Sequence, residues 1–181
     1  IANRVIQLFS PYLIVLLTAI FNAALSNNFF PPSWKSATVI GIPKPGKPKT
    51  EASSYRPISL LNVLGKIYER LIYNRLKSFA DSKKVIPDQQ FGFRTKHSCV
   101  QQVHRIVEDV SSGFQFGFTT GMLLFDVAKA FDKIWHNGLI YKLYQLGVPD
   151  RLVRIVRDFL SNRSFRYRVE GTLSSPHPIR A

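Results

Sequence analysis

The apolar run Met122-Leu123-Leu124-Phe125-Asp126-Val127, with Ala128-Lys129-Ala130-Phe131-Asp132 directly after it, is the most informative part of this chain. A short, continuous apolar run predicts a central β-strand covered on both faces. Burying the Asp126 carboxylate without a partner is costly, so two explanations stay open: an ion pair with an arginine, or a metal site at the strand end. Asp132 fits the first-turn cap of a following helix. Two-metal phosphoryl transfer needs two or three carboxylates, so in a metal site Asp126 would supply only one of them.

A basic turn forms the second candidate site. Lys44-Pro45-Gly46-Lys47 must be a loop, and Arg56 follows it. Lysine is a mobile point charge and arginine a bidentate fork, so together they suit a triphosphate. A solvated basic loop is the alternative. The segment is no Walker motif, because it lacks the glycine-rich cradle and the Lys-Ser/Thr pair.

The third candidate is Gln90-Phe91-Gly92-Phe93-Arg94. Aromatic residues interleaved with arginine beside a glycine can stack on bases and hold phosphates. The same residues are explained equally well by a turn whose two aromatic side chains are anchored in the hydrophobic core.

Composition limits the possible functions. The chain has 181 residues with 25 Lys and Arg against 11 Asp and Glu, a net charge of +14, which points to a polyanionic partner such as nucleic acid or an anionic membrane surface. The single cysteine, Cys99, excludes an internal disulfide and a cysteine-rich zinc cluster, and favours a reducing compartment. Because the chain begins at Ile1 and ends without a terminal signature, we expect it to be part of a longer protein.

Periodicity predicts mixed α and β structure in which helices dominate. The predicted helices cover residues 66–80 and 98–110, one that begins at an Asn137 cap and closes at Gly147, and one from an Asp150 cap to Phe159. The predicted strands cover residues 37–42, 55–61, 122–127 and 165–169.

An apolar stretch over residues 5–25 allows three interpretations: a transmembrane helix, a signal peptide or a buried helix. Polar residues interrupt it, and Ser10-Pro11 suits a helix start, so the buried helix is favoured. Its predicted inner face consists of Leu13, Leu17, Ile20, Phe21 and Leu25.

Taken in order, four blocks resemble the reverse transcriptase domain of non-LTR retrotransposons, most closely the jockey-like group. They are Trp34-Lys35-Ser36-Ala37 with Ile42-Pro43-Lys44-Pro45-Gly46-Lys47; Tyr55-Arg56-Pro57-Ile58-Ser59-Leu60-Leu61 with Lys66-Ile67-Tyr68-Glu69-Arg70; Gln89-Gln90-Phe91-Gly92-Phe93-Arg94; and Phe125-Asp126-Val127-Ala128-Lys129-Ala130-Phe131-Asp132 with Trp135-His136. The similarity covers essentially the whole chain.

The resemblance implies a catalytic role for Asp126 as a metal-binding carboxylate, with the backbone of Val127 as a second metal contact. Phe131 would be the aromatic gate that packs against the sugar and disfavours a ribose hydroxyl. The cofactor would be Mg²⁺ or Mn²⁺, with two ions in the complete enzyme.

The resemblance also implies which residues hold the substrates. Lys44 and Arg56 would grip the phosphates of the incoming nucleotide, and we expect Asp126 to lie within their reach. Gln90 and Arg94 would lie along the template or primer path. The partners would be an RNA template, a DNA primer, dNTP and the rest of a parent polyprotein, comprising the remaining palm, the thumb and an endonuclease in some arrangements.

The expected fold is α+β and helix-rich: a truncated right-hand polymerase with a fingers-like region over residues 1–118 and a partial palm over 119–181. The Ala-Asp-Asp strand of the family would follow the last residues, so we expect this RNA-directed DNA polymerase fragment to be inactive by itself and poorly soluble. The family implies an intracellular protein of nucleus and cytoplasm, neither secreted nor stably bound to membranes.

Two other functions remain as alternatives. One is a non-catalytic nucleic-acid-binding remnant or domesticated domain, which the charge supports equally. The other is a membrane-surface protein, which would use the apolar stretch and the basic charge together.

Overall fold

The computed structural model describes residues 6, 8–128, 130–131 and 133–179. They divide into two compact units, one within residues 1–79 and 133–181 and one within residues 80–132. Helices and a sheet are both present, so the predicted mixed composition is confirmed. The right-hand polymerase arrangement and the boundary between residues 118 and 119 stay predictions.

Helix α1 spans Pro11–Ser26 and begins as expected. The Ser10 side chain accepts a hydrogen bond from the backbone N–H of Leu13, and Pro11 occupies the first turn. The predicted inner face is partly wrong: Phe21 is buried, whereas Leu13 and Ile20 are exposed, because the helix packs through its C-terminal half. No helix in the described part of the chain has the length and hydropathy required to cross a membrane.

Within the described residues a five-stranded sheet is assembled from distant segments, in the order β2-β1-β3-β4 with β5 also on β3. The strands are β1 Ser36–Pro43, β2 Tyr55–Leu60, β3 Ser164–Val169, β4 Thr172–Leu173 and β5 His177–Pro178. β1 pairs antiparallel with β2 and parallel with β3. The predictions of strands near residues 37–42, 55–61 and 165–169 are therefore confirmed.

Helix α2, Val63–Ser82, carries the centre of the main core. Tyr68 is fully buried among the rings of Phe21, Phe30 and Trp34. Its hydroxyl donates to the carbonyl of Phe29 at 3.0 Å, which satisfies the one polar atom of the buried ring. Burial raises the pKa of Tyr68 to about 12.

Helices α4, His136–Gln145, and α5, Asp150–Leu160, form a second core around Ile140, Val148 and Val153. The turn between them contains Gly147 at φ +74°, the left-handed conformation that glycine adopts without strain.

Both predicted caps of these helices are displaced by one position or more. Trp135 precedes α4, so Asn137 is a helical residue, and Pro149 precedes α5, so Asp150 is in the first turn. There Asp150 accepts hydrogen bonds from the Tyr144 hydroxyl and Arg154, which lower its pKa. Each residue therefore lies inside the helix it was predicted to cap.

A buried ion pair ties the start of β1 to α5. Lys35 Nζ lies 2.8 Å from Asp158 Oδ1, and the backbone N–H of Phe30 donates to Asp158 Oδ2 at 2.6 Å. Burial acts to raise the pKa of Asp158, but the hydrogen bonds from Lys35 and Phe30 lower it overall. The ion pair fixes the segment that leads into the strand carrying the basic turn.

The smaller unit contains helix α3, Cys99–Gln115. Ser98 and Gln101 form a reciprocal capping box at its start, and the helix ends at Gln115, five residues beyond the predicted end. Val100, Val103 and Val107 are exposed along one side of this helix.

The strand predicted over residues 122–127 is wrong: this segment forms neither helix nor strand. A strand requires a neighbour that pairs with its backbone groups, and no described residue pairs with this segment. Its apolar side chains are consequently exposed, with Phe125 86% accessible. The prediction that this run is covered on both faces is therefore wrong as well.

Candidate nucleotide and nucleic-acid site

The β1–β2 hairpin brings Lys44 and Arg56 to one end of the sheet. In the antiparallel register Ile42 pairs with Arg56, and Lys44 follows two residues after Ile42. The backbone N–H of Lys44 donates to the carbonyl of Ser54 at 2.8 Å, which extends the ladder one step. Arg56 is exposed and Lys44 half-buried, so two cations flank one hairpin loop.

Hydrogen bonds within the loop hold it in shape. Lys44 Nζ donates to the carbonyl of Ser53 at 2.8 Å, and the Tyr55 hydroxyl donates to the carbonyl of Lys49 at 2.9 Å. Gly46 has φ +70°, which a β-carbon would strain. An ammonium has three donors, so Lys44 keeps two for a ligand.

The sequence interpretation missed the role of Tyr55. A local signal was available, because the hydroxyl of a tyrosine that follows a loop can donate to one of the carbonyl groups of that loop. The consequence is a basic loop with a defined geometry rather than a loose chain.

Residues 90–94 form a tight turn next to the start of α3. Gln90 donates from its side chain to the carbonyl of Gly92 at 3.1 Å. Arg94 donates to the carbonyl of Pro87 at 3.1 Å and to Asp88 Oδ1 at 3.3 Å. These hydrogen bonds use only some of the N–H donors of Gln90 and Arg94, and the remaining donors can bind a ligand.

Aromatic side chains flank this turn. Phe91 packs edge-on against the His97 ring at 4.9 Å, and the Arg105 guanidinium lies 5.1 Å from the Phe91 ring centre. Phe93 is almost fully exposed and meets the ring of Phe131 edge-on at 6.2 Å. Phe91 therefore anchors the turn and Phe93 faces solvent, while the base-stacking interpretation stays a prediction.

Asp126 and Val127 are both exposed in the extended segment. Asp126 has no ion pair with any described residue, so the arginine-paired alternative is not the arrangement seen. Phe131, five residues further on, is also exposed. Asp132, the predicted helix cap, lies outside the described residues.

The described residues do not by themselves form a magnesium site. They contain no cluster of three histidine, cysteine or acidic side chains able to hold a metal ion. The Asp126 carboxylate and the Val127 carbonyl would supply only part of the ligands that such a site needs.

The sequence-predicted residues therefore fall into two groups. Lys44 and Arg56 share one hairpin in the larger unit, whereas Gln90, Arg94, Asp126, Val127 and Phe131 belong to the smaller unit. The predicted reach between Asp126 and the basic turn stays a prediction.

Comparison with known proteins identifies the family. The family model described as reverse transcriptase (RNA-dependent DNA polymerase) matches residues 42–180. A probable RNA-directed DNA polymerase from transposon BS of Drosophila melanogaster is 40% identical over 181 residues, 100% of this chain and 20% of the relative. The RNA-directed DNA polymerase from the mobile element jockey of the same species is 44% identical over 180 residues, 99% of this chain and 19% of the relative.

A third relative, a probable RNA-directed DNA polymerase from the D. melanogaster transposon X-element, is 36% identical over 181 residues, again 100% of this chain and 20% of the relative. The chain spans about a fifth of the length of these curated relatives. The predicted resemblance to non-LTR retrotransposon polymerases is confirmed. This chain belongs to the reverse transcriptase family.

Proposed function

We propose that this chain is the nucleotide- and template-gripping part of an RNA-directed DNA polymerase of a mobile element, and that it contributes one carboxylate, Asp126, to the catalytic centre. The observation that carries the proposal is the convergence of Lys44 and Arg56 at one ordered hairpin end, in a chain 44% identical to a mobile-element polymerase over 99% of its length.

The hairpin end suits the phosphates of a dNTP. A triphosphate concentrates negative charge, and phosphoryl transfer depends mainly on positioning and neutralising that charge. Arg56 offers a planar fork for two phosphate oxygens, while Lys44 offers a point charge whose position the Ser53 carbonyl already restricts. The loop therefore holds the phosphates and leaves the reacting bond to groups elsewhere.

The smaller unit provides the other proposed contacts. Asp126 is exposed and unpaired among the described residues, as a ligand for a divalent ion must be, and the Val127 carbonyl is adjacent to it. Phe131 is a rigid, exposed ring that discriminates by shape, because a ribose hydroxyl would collide with it. Gln90 and Arg94 present their remaining donors to a template or primer strand.

Activity of the full reaction requires more than this chain. The other metal-binding carboxylates come from the remainder of a parent protein, which also supplies the thumb and positions an RNA template and a DNA primer. We therefore expect the 181-residue chain to bind RNA without extending a primer. A binding-only role would be supported equally by the net charge of +14.

The first test measures RNA binding by fluorescence anisotropy between 50 and 200 mM salt, a range over which a chain with several phosphate contacts loses affinity steeply. Arg94→Gln should reduce the salt slope by about 0.7, the value for one phosphate contact on a single strand. Arg154→Gln is the control, because that arginine lies on α5 and is not among the proposed template contacts. Flat salt dependence of the unchanged chain would contradict the proposal.

The second test uses a polypeptide of the relatives' length that carries this sequence. Lys44→Gln and Arg56→Gln should raise KM for dNTP while primer–template affinity changes little, because the hairpin contacts the nucleotide phosphates. Equal effects on dNTP and primer–template would contradict that assignment. Primer extension by the 181-residue chain alone, above the level of its Asp126→Asn variant, would refute its predicted inactivity.

A further inference from the structure

An open recess of about 570 Å³ lies on one face of the sheet. The pairing register explains why its lining comes from three strands: Gly41 pairs with Pro57, and Val39 pairs with Tyr167. Alternate residues of a strand share a face, so these positions, with Tyr55 two residues before Pro57, line the same side. None of them belongs to the site described above, apart from the role of Tyr55 in the basic loop.

The Tyr55 ring lies close to the sheet because its neighbour on β1 is a glycine. A β-carbon at Gly41 would lie 3.1 Å from the Tyr55 ring, which is tighter than an ordinary contact. Gly41 therefore lets this ring pack against the strand where both residues line the recess.

Both tyrosine rings are held in place without any ligand. The Tyr55 hydroxyl is anchored on the carbonyl of Lys49. Tyr167 packs against Phe165 edge-on at 5.3 Å. Its backbone N–H donates to the Ser174 hydroxyl at 3.0 Å, and its carbonyl accepts from the Ser174 N–H at 2.9 Å. Rings fixed in this way lose little conformational freedom when a flat partner stacks on them.

The charges that line the recess favour a neutral aromatic ligand over a phosphate group. Arg168 and Glu170 both line it, so their charges offset each other, and the rest of the lining is largely apolar.

We propose that this recess binds an unpaired base of single-stranded RNA, stacked on the Tyr167 ring. This inference rests on the proposed function, because it requires that the chain binds RNA. Stacking is tolerant of base identity, so the recess would hold a strand without selecting its sequence.

The test compares a 12-nucleotide single-stranded RNA with the same strand made abasic, using fluorescence anisotropy at constant salt. Tyr167→Leu should weaken binding to the base-bearing strand by about tenfold and leave binding to the abasic strand unchanged. Tyr167→Phe keeps the ring and should bind as the unchanged chain does. The salt slope should stay constant in both variants, because no charge is removed.

Tyr73→Leu is the matched control, because Tyr73 is 44% exposed against 48% for Tyr167 but lies on α2, where its ring contacts Arg70. Equal losses of affinity in Tyr167→Leu and Tyr73→Leu would overturn the proposal that the recess binds a base. Equal binding of base-bearing and abasic RNA by the unchanged chain would also overturn this proposal, and that measurement needs no variant. If the unchanged chain binds neither strand, the proposed RNA-binding function itself fails, and that result differs from both of these.

Discussion

Asp158→Ala removes the partner of a buried cation. Lys35 is 5% exposed and Asp158 31% exposed, and the same carboxylate also accepts from the Phe30 N–H. Removing one member of a buried pair costs about 3–5 kcal/mol, because the other charge stays buried without compensation. Water reaches the aspartate side of this pair, which places the expected loss at the lower end, about 3 kcal/mol.

Urea denaturation measures this loss as a shift of the midpoint. With a slope of about 2 kcal/mol per molar urea, the midpoint should fall by about 1.5 M while the slope stays constant. Asp150→Asn is the control, because its pair with Arg154 is more than half exposed on both sides and should contribute little to stability. The double variant Lys35→Met with Asp158→Leu should recover most of the stability, since no buried charge remains.

The acid sensitivity of Asp158 follows from the same contacts. Its pKa in the folded chain lies below the ordinary value of 3.8, so its contribution to stability is present above that value and is lost as pH falls through the folded pKa. Asp158→Asn should therefore lose less stability than the unchanged chain between pH 5 and pH 3. A midpoint shift for Asp158→Ala as small as that of Asp150→Asn, or identical acid profiles, would refute this reasoning.

Three further predictions concern packing, capping and exposed surface. Gly65→Val should destabilise the chain by about 1–3 kcal/mol in thermal melts, because a β-carbon there lies 3.0 Å from the Trp34 side chain; unchanged stability would show that the rings yield freely. Ser98→Ala should remove about 1 kcal/mol from the start of α3 and speed amide exchange in its first turn, with exchange in α2 as the reference. Leu124→Lys should reduce binding of a hydrophobic dye and self-association, since the side chain is exposed; a persistent dye signal would contradict the assignment of that surface.

Local signals in the sequence predicted most of the regular structure. Ser10-Pro11 begins α1, Ser98 begins α3 and Gly147 closes α4, because each of these depends on backbone groups only a few residues away. The basic turn was also predictable, since proline and glycine exclude a continued strand there.

Features that depend on distant residues were missed. Lys35 and Asp158 are 123 positions apart, and nothing near either residue indicates the pair. Tyr68 looked like an ordinary helix residue, although it is the most deeply buried ring of the core. Residues 122–127 carry the composition of a strand, but composition cannot supply the neighbouring strand that pairing requires.

The recess on the sheet was missed for the same reason. It depends on the register of β1 with β2 and β3, which places Gly41 and the two tyrosines along the recess. The alternation of aromatic and basic residues along β3 predicted a strand. The recess could not be predicted from it, because the recess also depends on which strand pairs with β3.

The role of Asp126 is tested most directly by primer extension on an RNA template, with a polypeptide of the relatives' length that carries this sequence. Asp126→Asn should reduce single-turnover extension by more than the roughly 10–100-fold that loss of an outer-shell metal partner costs, while RNA binding stays intact. Asp109→Asn, an exposed aspartate on α3, is the matched control and should extend normally. Extension by Asp126→Asn at the rate of Asp109→Asn would contradict the assignment of Asp126 as a catalytic carboxylate.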